Sequence, residues 1–114
     1  MADKIFDGQT TNGDSERFFH IAQQTGMLHF YIEGDLGGGT LILHAIGPDG
    51  ETPSVVAGAE AITSIGLKII QCLSMEGYLE LIGSSGADLT VYTESEHDAM
   101  SRVRKASNVA QEAG

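Results

Sequence analysis

Apolar residues that alternate with polar ones, in short runs separated by turn-forming residues, constrain this chain more than any other feature. In residues 27–33 (MLHFYIE), Leu28, Phe30 and Ile32 fall on one side of an extended backbone and the other side chains fall on the opposite side. This period of two is typical of a half-buried β-strand. Comparable runs lie at residues 18–22, 40–46, 67–73, 78–82 and 89–93, with weaker ones at 53–57 and 61–65.

The segments between these runs are short and rich in glycine, of which the 114 residues contain 15. The sequence GPDG at residues 47–50 is typical of a tight turn. Because such short segments leave no room for helical crossovers, the strands should pair antiparallel. We predict an all-β fold, an antiparallel β-sandwich of the jelly-roll or Ig-like type with about seven or eight strands and a short C-terminal helix.

One face of each predicted strand should form the core, which must be mainly aliphatic because the chain has no Trp. The single cysteine, Cys72, excludes an intramolecular disulfide and should act as a small hydrophobic residue. The residues that we expect to be buried are Leu28, Phe30, Ile32, Leu41, Leu43, Leu67, Ile69, Leu79, Leu81, Leu89 and Val91.

The two ends of the chain differ from the strand pattern. Residues 1–16 are polar and have no sustained period, which predicts an N-terminal arm ahead of a sandwich domain at residues 17–94. Residues 95–114 predict a C-terminal helix or tail, because Ser95 suits an N-cap and acidic residues follow it. The apolar stripe of this helix is thin, so the helix should dock on the sheet or on a neighbour; the stripe consists of Met100, Val103, Ala106 and Ala110.

The charge of the chain is strongly negative and unevenly distributed. The net charge of −10 disfavours nucleic acid as a partner. Residues 1–98 hold 15 acidic and 3 basic side chains (net −12), whereas residues 99–114 hold 1 acidic and 3 basic side chains (net +2). The basic end is either solvated or meets an acidic neighbour such as a second copy. The sequence contains no apolar stretch of membrane-spanning length and no signal-peptide core, which predicts synthesis in the cytoplasm and no membrane partner.

Two histidines would face each other if residues 27–33 and 39–46 formed a hairpin. One register of that hairpin sets His29 opposite His44, with Cβ atoms ~4.5–5.5 Å apart. The pair would be either a pH-sensitive polar contact or half of a metal site completed by His20 and Glu33. The acidic loop residues Asp35, Asp49 and Glu51 lack the spacing of an EF-hand. We therefore expect no metal.

The sequence lacks the common catalytic motifs. It contains no Gly-x-Ser-x-Gly elbow, P-loop, Cys-x-x-Cys pair or His-Glu-x-x-His motif. Its paired carboxylates, Glu76 with Glu80 and Glu94 with Glu96, stand at predicted turns or strand ends, where acidic side chains are commonly solvated. We expect neither an enzyme nor a bound cofactor.

Four stretches resemble a pattern found in small bacteriophage virion proteins. They are YIEG at residues 31–34, GGTLIL at 38–43, GPDG at 47–50 and YLELIG at 78–83. The resemblance spans residues 28–93 and implies a jelly-roll-like or Ig-like sandwich in a virion. It implies a capsid decoration or cement protein that is made in the host cytoplasm, with a neck or tail component as the alternative.

The resemblance also implies a homo-oligomer, a trimer or ring, that contacts other virion proteins such as the major capsid protein. The residues that we expect in these contacts are Ile5, Phe6, His29, His44, Met100, Arg102, Val103 and Arg104. Two rival functions stay open. One is a stand-alone module that binds a ligand or carbohydrate, for which the aromatic surface would come from Tyr31, Tyr78 and Tyr92. The other is a generic cytoplasmic oligomer or small enzyme.

Overall fold

A computed structural model describes the backbone of residues 3–113 and the side chains of residues 3–105. Within these residues the chain forms nine strands followed by one helix. They are β1 (Asp3–Gln9), β2 (Gly13–Asp14), β3 (Phe18–His20), β4 (Met27–Asp35), β5 (Thr40–Ile46), β6 (Pro53–Val55), β7 (Gly66–Gln71), β8 (Met75–Ile82), β9 (Asp88–Ser95) and α1 (Glu96–Ala113). The weaker run at 61–65 contributes only an isolated bridge between Ile62 and Leu41.

The strands form two antiparallel sheets. Sheet A has the order β1-β9-β4-β7, and sheet B has the order β2-β8-β5-β6, with β3 also paired to β8. The first strand thus pairs with the last, β2 and β3 pair with β8, β4 pairs with β7, and β5 pairs with β6. The first half of the chain (β1 to β5) runs antiparallel to the second half (β6 to β9), and the turn between the halves lies at residues 47–52. Successive strand pairs lie alternately in sheet A and sheet B. This is the topology of a jelly roll, and the prediction of an all-β antiparallel sandwich is confirmed.

The core lies between the two sheets. Nine of the eleven residues predicted for the core are buried: Leu28, Phe30, Ile32, Leu41, Leu43, Leu79, Leu81, Leu89 and Val91. Phe18 of sheet B meets Phe30 of sheet A edge to face, with ring centroids 5.6 Å apart, so the inner faces interlock.

The prediction was wrong for Leu67 and Ile69, which are about half exposed on β7. The inner face of β7 carries Lys68 and Ile70 instead, because Lys68 lies opposite the buried Phe30. β7 is an edge strand, so the Lys68 stem lies inward while its ammonium group reaches past the edge and donates to Ser64 Oγ at 2.7 Å. An inward-facing charge of this kind also protects an edge strand from unwanted pairing.

The structure departs from the predicted N-terminal arm. Residues 3–9 form the outermost strand on one side of sheet A, and residues 13–14 pair with β8 in sheet B. Ile5 and Phe6 are both buried in the core, although they are adjacent in the sequence. The register of β1 against β9 shifts between Lys4 and Phe6, and such a bulge lets two neighbouring side chains point inward. The alternation that reveals the other strands is therefore lost in β1.

The hairpin that would have brought His29 and His44 together does not form between residues 27–33 and 39–46, because β4 and β5 lie in different sheets. His29 lies opposite Ile69 and Glu94, whereas His44 lies opposite Val55 and Tyr78. The connection between β4 and β5 crosses the edge of the sandwich and buries Leu36 on the way. The His29–His44 contact, and any metal site built on it, does not form.

The helix begins where the sequence predicts. The Asp98 N–H donates to the Ser95 hydroxyl at 3.5 Å, and Glu96 and Asp98 lie in the first turn. α1 follows β9 directly and packs on β9 and β4, so it lies on the outer face of sheet A. The stripe residues Ala106 and Ala110 lie outside the described side chains.

Candidate interaction surface

Arg102 holds α1 on the outer face of sheet A. Its Nε donates to Glu94 Oε2 at 2.7 Å and its Nη2 donates to Glu94 Oε1 at 3.0 Å, which is the two-point geometry that suits a guanidinium and a carboxylate. Nη2 also lies 3.3 Å from the Tyr31 hydroxyl. The Glu94 side chain has no exposed surface, so Arg102 covers a buried carboxylate. Arg102, which was predicted for an interface, therefore has a structural function within the molecule.

Glu96 holds the first turn of α1 against the loop at residues 23–25. Its carboxylate accepts a hydrogen bond from the Thr25 hydroxyl. It also accepts one from each of the backbone N–H groups of Gln23, Gln24 and Thr25, and these three bonds are 2.8 Å long. These bonds favour the ionised form and lower the pKa of Glu96 to about 2. The start of the helix is thus fixed to the sandwich at two points, through Glu96 and Arg102.

A groove of about 500 Å³ opens on this face beside α1. It is lined by His29, Ala99, Met100, Val103 and Arg104, none of which is acidic. Nδ1 of His29 is buried and has no hydrogen-bond partner among the described residues. The groove is therefore mainly apolar, with one basic side chain at its rim.

β7 extends this apolar surface beyond the groove. Ile69 lies opposite His29 and Leu67 lies opposite Tyr31, and directly opposed residues of antiparallel strands share a face. We call the exposed side chains of Leu67, Ile69, Met100 and Val103 the apolar patch; they are 51%, 52%, 37% and 58% exposed, respectively. Exposed apolar side chains grouped in this way make the face a candidate interaction site.

Sequence reasoning identified half of the apolar patch. It selected Met100 and Val103, together with His29 and Arg104 beside them, and the structure brings these four residues together. It assigned Leu67 and Ile69 to the core, because a lysine between two apolar residues suggests that the lysine faces solvent. The available signal was Ile70: the run LKIIQ offers an apolar residue to either face, so its pattern does not select one.

The remaining predicted contact residues lie elsewhere. Ile5 and Phe6 are in the core and are not available to a partner. His44 lies on the outer face of sheet B, where its ring stacks on Tyr78 at 4.9 Å and its Nε2 is 2.9 Å from Glu80 Oε1.

The possible metal ligands are also dispersed. The buried ring of His20 faces the carbonyl oxygens of Gly26 and Cys72 through Nε2, each at 3.2 Å. Among the described residues, no group of three His, Cys, Asp or Glu side chains has a geometry that could hold a metal ion. Within the same residues no helix has both the length and the apolar character of a membrane span.

No protein-family model, curated protein or solved structure gives a significant match to the chain.

Proposed function

We propose that the protein is a structural component of a bacteriophage virion, a capsid decoration or cement protein, that acts by burying surface against neighbouring subunits. The observation that carries this proposal is the apolar patch, which lies on the outside of a strongly acidic domain. The resemblance of residues 28–93 to small virion proteins supports it. Jelly rolls are common in viral shells, which is an analogy of fold and not evidence of function.

The energy available from the apolar patch sets the scale of the interaction. Burying an exposed Leu, Ile, Met or Val side chain contributes ~1.5–3 kcal/mol, so covering four half-exposed side chains would contribute about 3–6 kcal/mol. Association costs at least ~4 kcal/mol in lost freedom. The apolar patch therefore suits the centre of an interface, and polar contacts around it must complete a total of ~1,000 Å² or more. Because a shell carries many copies of the protein, the small stabilisation from each contact would add up over the whole shell.

A neck or tail component is the alternative position for the same activity, because the apolar patch would serve either assembly. The carbohydrate-binding rival finds less support. Two tyrosine rings are engaged through their faces: Tyr78 stacks on His44, and Lys4 Nζ lies 5.5 Å from the ring centroid of Tyr92. Tyr31 contacts Arg102 through its hydroxyl and meets the His29 ring edge to face. A sugar platform requires a free aromatic face.

The test uses purified particles of the phage that encodes the chain. Quantitative mass spectrometry should find the protein in many copies per particle, and particles stripped of it should bind the purified protein again. Ile69→Asp should prevent rebinding, because it places a charge in the apolar patch. Leu73→Asp is the matched control, since Leu73 is 85% exposed in a loop outside the patch. Absence of the protein from particles, or equal rebinding by the two variants, would contradict the proposal.

A further inference from the structure

The two outer faces of the sandwich differ in charge. Beside the apolar patch, α1 carries the exposed basic residue Arg104, and none of the described residues that line the groove is acidic. The outer face of sheet B is instead rich in acidic residues. Glu76 and Glu80 project from β8 on this face, and Asp14 of β2 lies directly opposite Glu80.

The outer face of sheet B also exposes large apolar side chains among its acidic ones. Phe19 lies opposite Glu76, and Val55 lies opposite His44, which contacts Glu80. Ile82 follows Glu80 by two residues on the same strand, so it points the same way. We call this surface the acidic face; it comprises Asp14, Phe19, Val55, Glu76, Glu80 and Ile82. It combines exposed apolar side chains with acidic ones, whereas the charged side chain beside the apolar patch is the basic Arg104.

Two carboxylates of the acidic face, Asp14 and Glu80, have no lysine or arginine partner in the described part of the chain, although Glu80 Oε1 lies 2.9 Å from His44 Nε2. Asp14 and Glu80 are directly opposed like charges, an arrangement that destabilises a strand pair. Among the described residues neither forms an ion pair with a lysine or arginine, whereas Glu76 pairs with Arg17 at 3.3 Å. A positive charge brought by a second molecule would relieve this repulsion.

We propose that the apolar patch of one copy binds the acidic face of a second copy. The pairing buries apolar side chains from both molecules and sets Arg104 of one against Asp14 and Glu80 of the other. A two-fold contact between apolar patches would instead bring the basic residues of both copies together, and a contact between acidic faces would bring carboxylates together. Charge complementarity therefore selects a head-to-tail contact.

A head-to-tail contact has a consequence for assembly. The apolar patch and the acidic face lie on opposite sides of the sandwich, so each copy in a contact keeps one free binding surface. Such heterologous contacts close into a ring or continue as a stack. The inference rests on the proposed structural function and specifies its partner as the same chain.

The test compares two variants, alone and mixed. Ile69→Asp with Val103→Asp disables the apolar patch, and Val55→Asp with Ile82→Asp disables the acidic face. Light scattering and sedimentation velocity should show assemblies larger than a dimer for the wild type and a monomer for each variant alone. An equimolar mixture of the two variants should form a dimer and nothing larger, because only one intact pair of surfaces remains. Leu73→Asp should assemble as the wild type does.

The charges are tested separately from the apolar contacts. Arg104→Glu should weaken assembly at least about tenfold in Kd, and adding Asp14→Lys and Glu80→Lys to the same chain should restore it. Assembly of the wild type should also weaken as salt is raised. Circular dichroism and thermal unfolding establish that each variant is folded.

Three outcomes would overturn the inference: a wild type that is monomeric at all concentrations, an acidic-face variant that still dimerises, or a triple charge variant (Arg104→Glu with Asp14→Lys and Glu80→Lys) that fails to recover assembly. Failure of this inference can be distinguished from failure of the proposed virion function. A monomer that is nevertheless abundant in particles, and that requires Ile69 to bind them, would refute only the head-to-tail contact. A head-to-tail assembly that is absent from particles would refute only the virion function.

Discussion

Glu96 fixes the junction between the sandwich and α1 through its charge. The Thr25 hydroxyl and three backbone N–H groups of residues 23–25 lower the pKa of its carboxyl from 4.5 to about 2. A carboxyl whose pKa is lower in the folded than in the unfolded chain stabilises the fold above the unfolded-state pKa. That contribution is lost as the pH falls through the folded-state pKa.

We therefore expect Glu96→Gln to lower the urea midpoint of unfolding at neutral pH. The difference from wild type should shrink between pH 4.5 and about 2, because the wild-type carboxyl becomes protonated there. Asp49, whose pKa is also about 2 owing to hydrogen bonds from Thr52 and Glu51, is present in both proteins and cancels in the comparison. A difference that stays constant down to pH 2 would show that the charge of Glu96 is not the cause.

The same Leu→Ala substitution should lower the free energy of unfolding by very different amounts at a buried and at an exposed leucine. Leu43 is fully buried between the sheets, whereas Leu67 is about half exposed on β7. Leu43→Ala should lower the free energy of unfolding by ~2–5 kcal/mol, because it removes packed atoms and leaves a cavity. Leu67→Ala should cost less than ~1 kcal/mol. Denaturant titration of both variants checks this, and equal losses would show that the Leu67 side chain faces the core.

At the scale of elements, the connection between β4 and β5 decides which sheet each strand joins. Gly37 has a φ of 61°, and the Ser85 N–H donates to its carbonyl oxygen at 2.8 Å. A Cβ at Gly37 would lie 2.7 Å from the Ser85 carbonyl oxygen and 2.8 Å from the Ala87 nitrogen. The connection thus passes against the loop between β8 and β9 with no space for a side chain, and it carries the chain from sheet A to sheet B.

The neighbouring Gly38 provides a matched control for this contact. Its φ of 74° is also positive, but a Cβ there would meet nothing within 4 Å. Both Gly→Ala variants incur the strain of a left-handed backbone, ~1–2 kcal/mol. Gly37→Ala should lose clearly more stability than Gly38→Ala in denaturant titration, because only Gly37 abuts backbone atoms. Similar losses would mean that backbone conformation alone sets the cost.

At the scale of the whole molecule, the pairing of β1 with β9 closes the roll. β1 covers the edge of β9 and contributes Ile5 and Phe6 to the core, so the first residues of the sandwich are held by the last strand. Removing these residues would expose two core positions and a central strand edge together.

We therefore expect a chain that lacks residues 1–9 to lose cooperative thermal unfolding or to aggregate. A deletion limited to residues 1–2 is the control, since it leaves β1 intact. Circular dichroism during heating is the measurement. If the chain without residues 1–9 unfolds at the wild-type temperature, β1 is dispensable and the prediction of an N-terminal arm would be restored.

The candidate surface was only partly predictable from sequence. Met100, Val103 and Arg104 follow from the thin stripe and the basic residues of a helix, both of which are local features. Leu67 and Ile69 do not, because an edge strand with apolar residues on both faces has no local signal for its inner side. The acidic face was missed for a related reason: Asp14, Phe19 and Val55 come from three separate strands that only pairing brings together.

The antiparallel strands, most of the core and the start of α1 could be predicted from the sequence, because alternation, turns and helix caps depend on neighbouring residues. The folded structure was needed to show that β4 and β5 belong to different sheets, that β1 is an integral strand and that β7 turns Leu67 and Ile69 outward. Those features depend on pairings between distant segments, such as Asp3 with Thr93. A period of two fixes two faces for a strand, but packing against distant residues decides which face is buried.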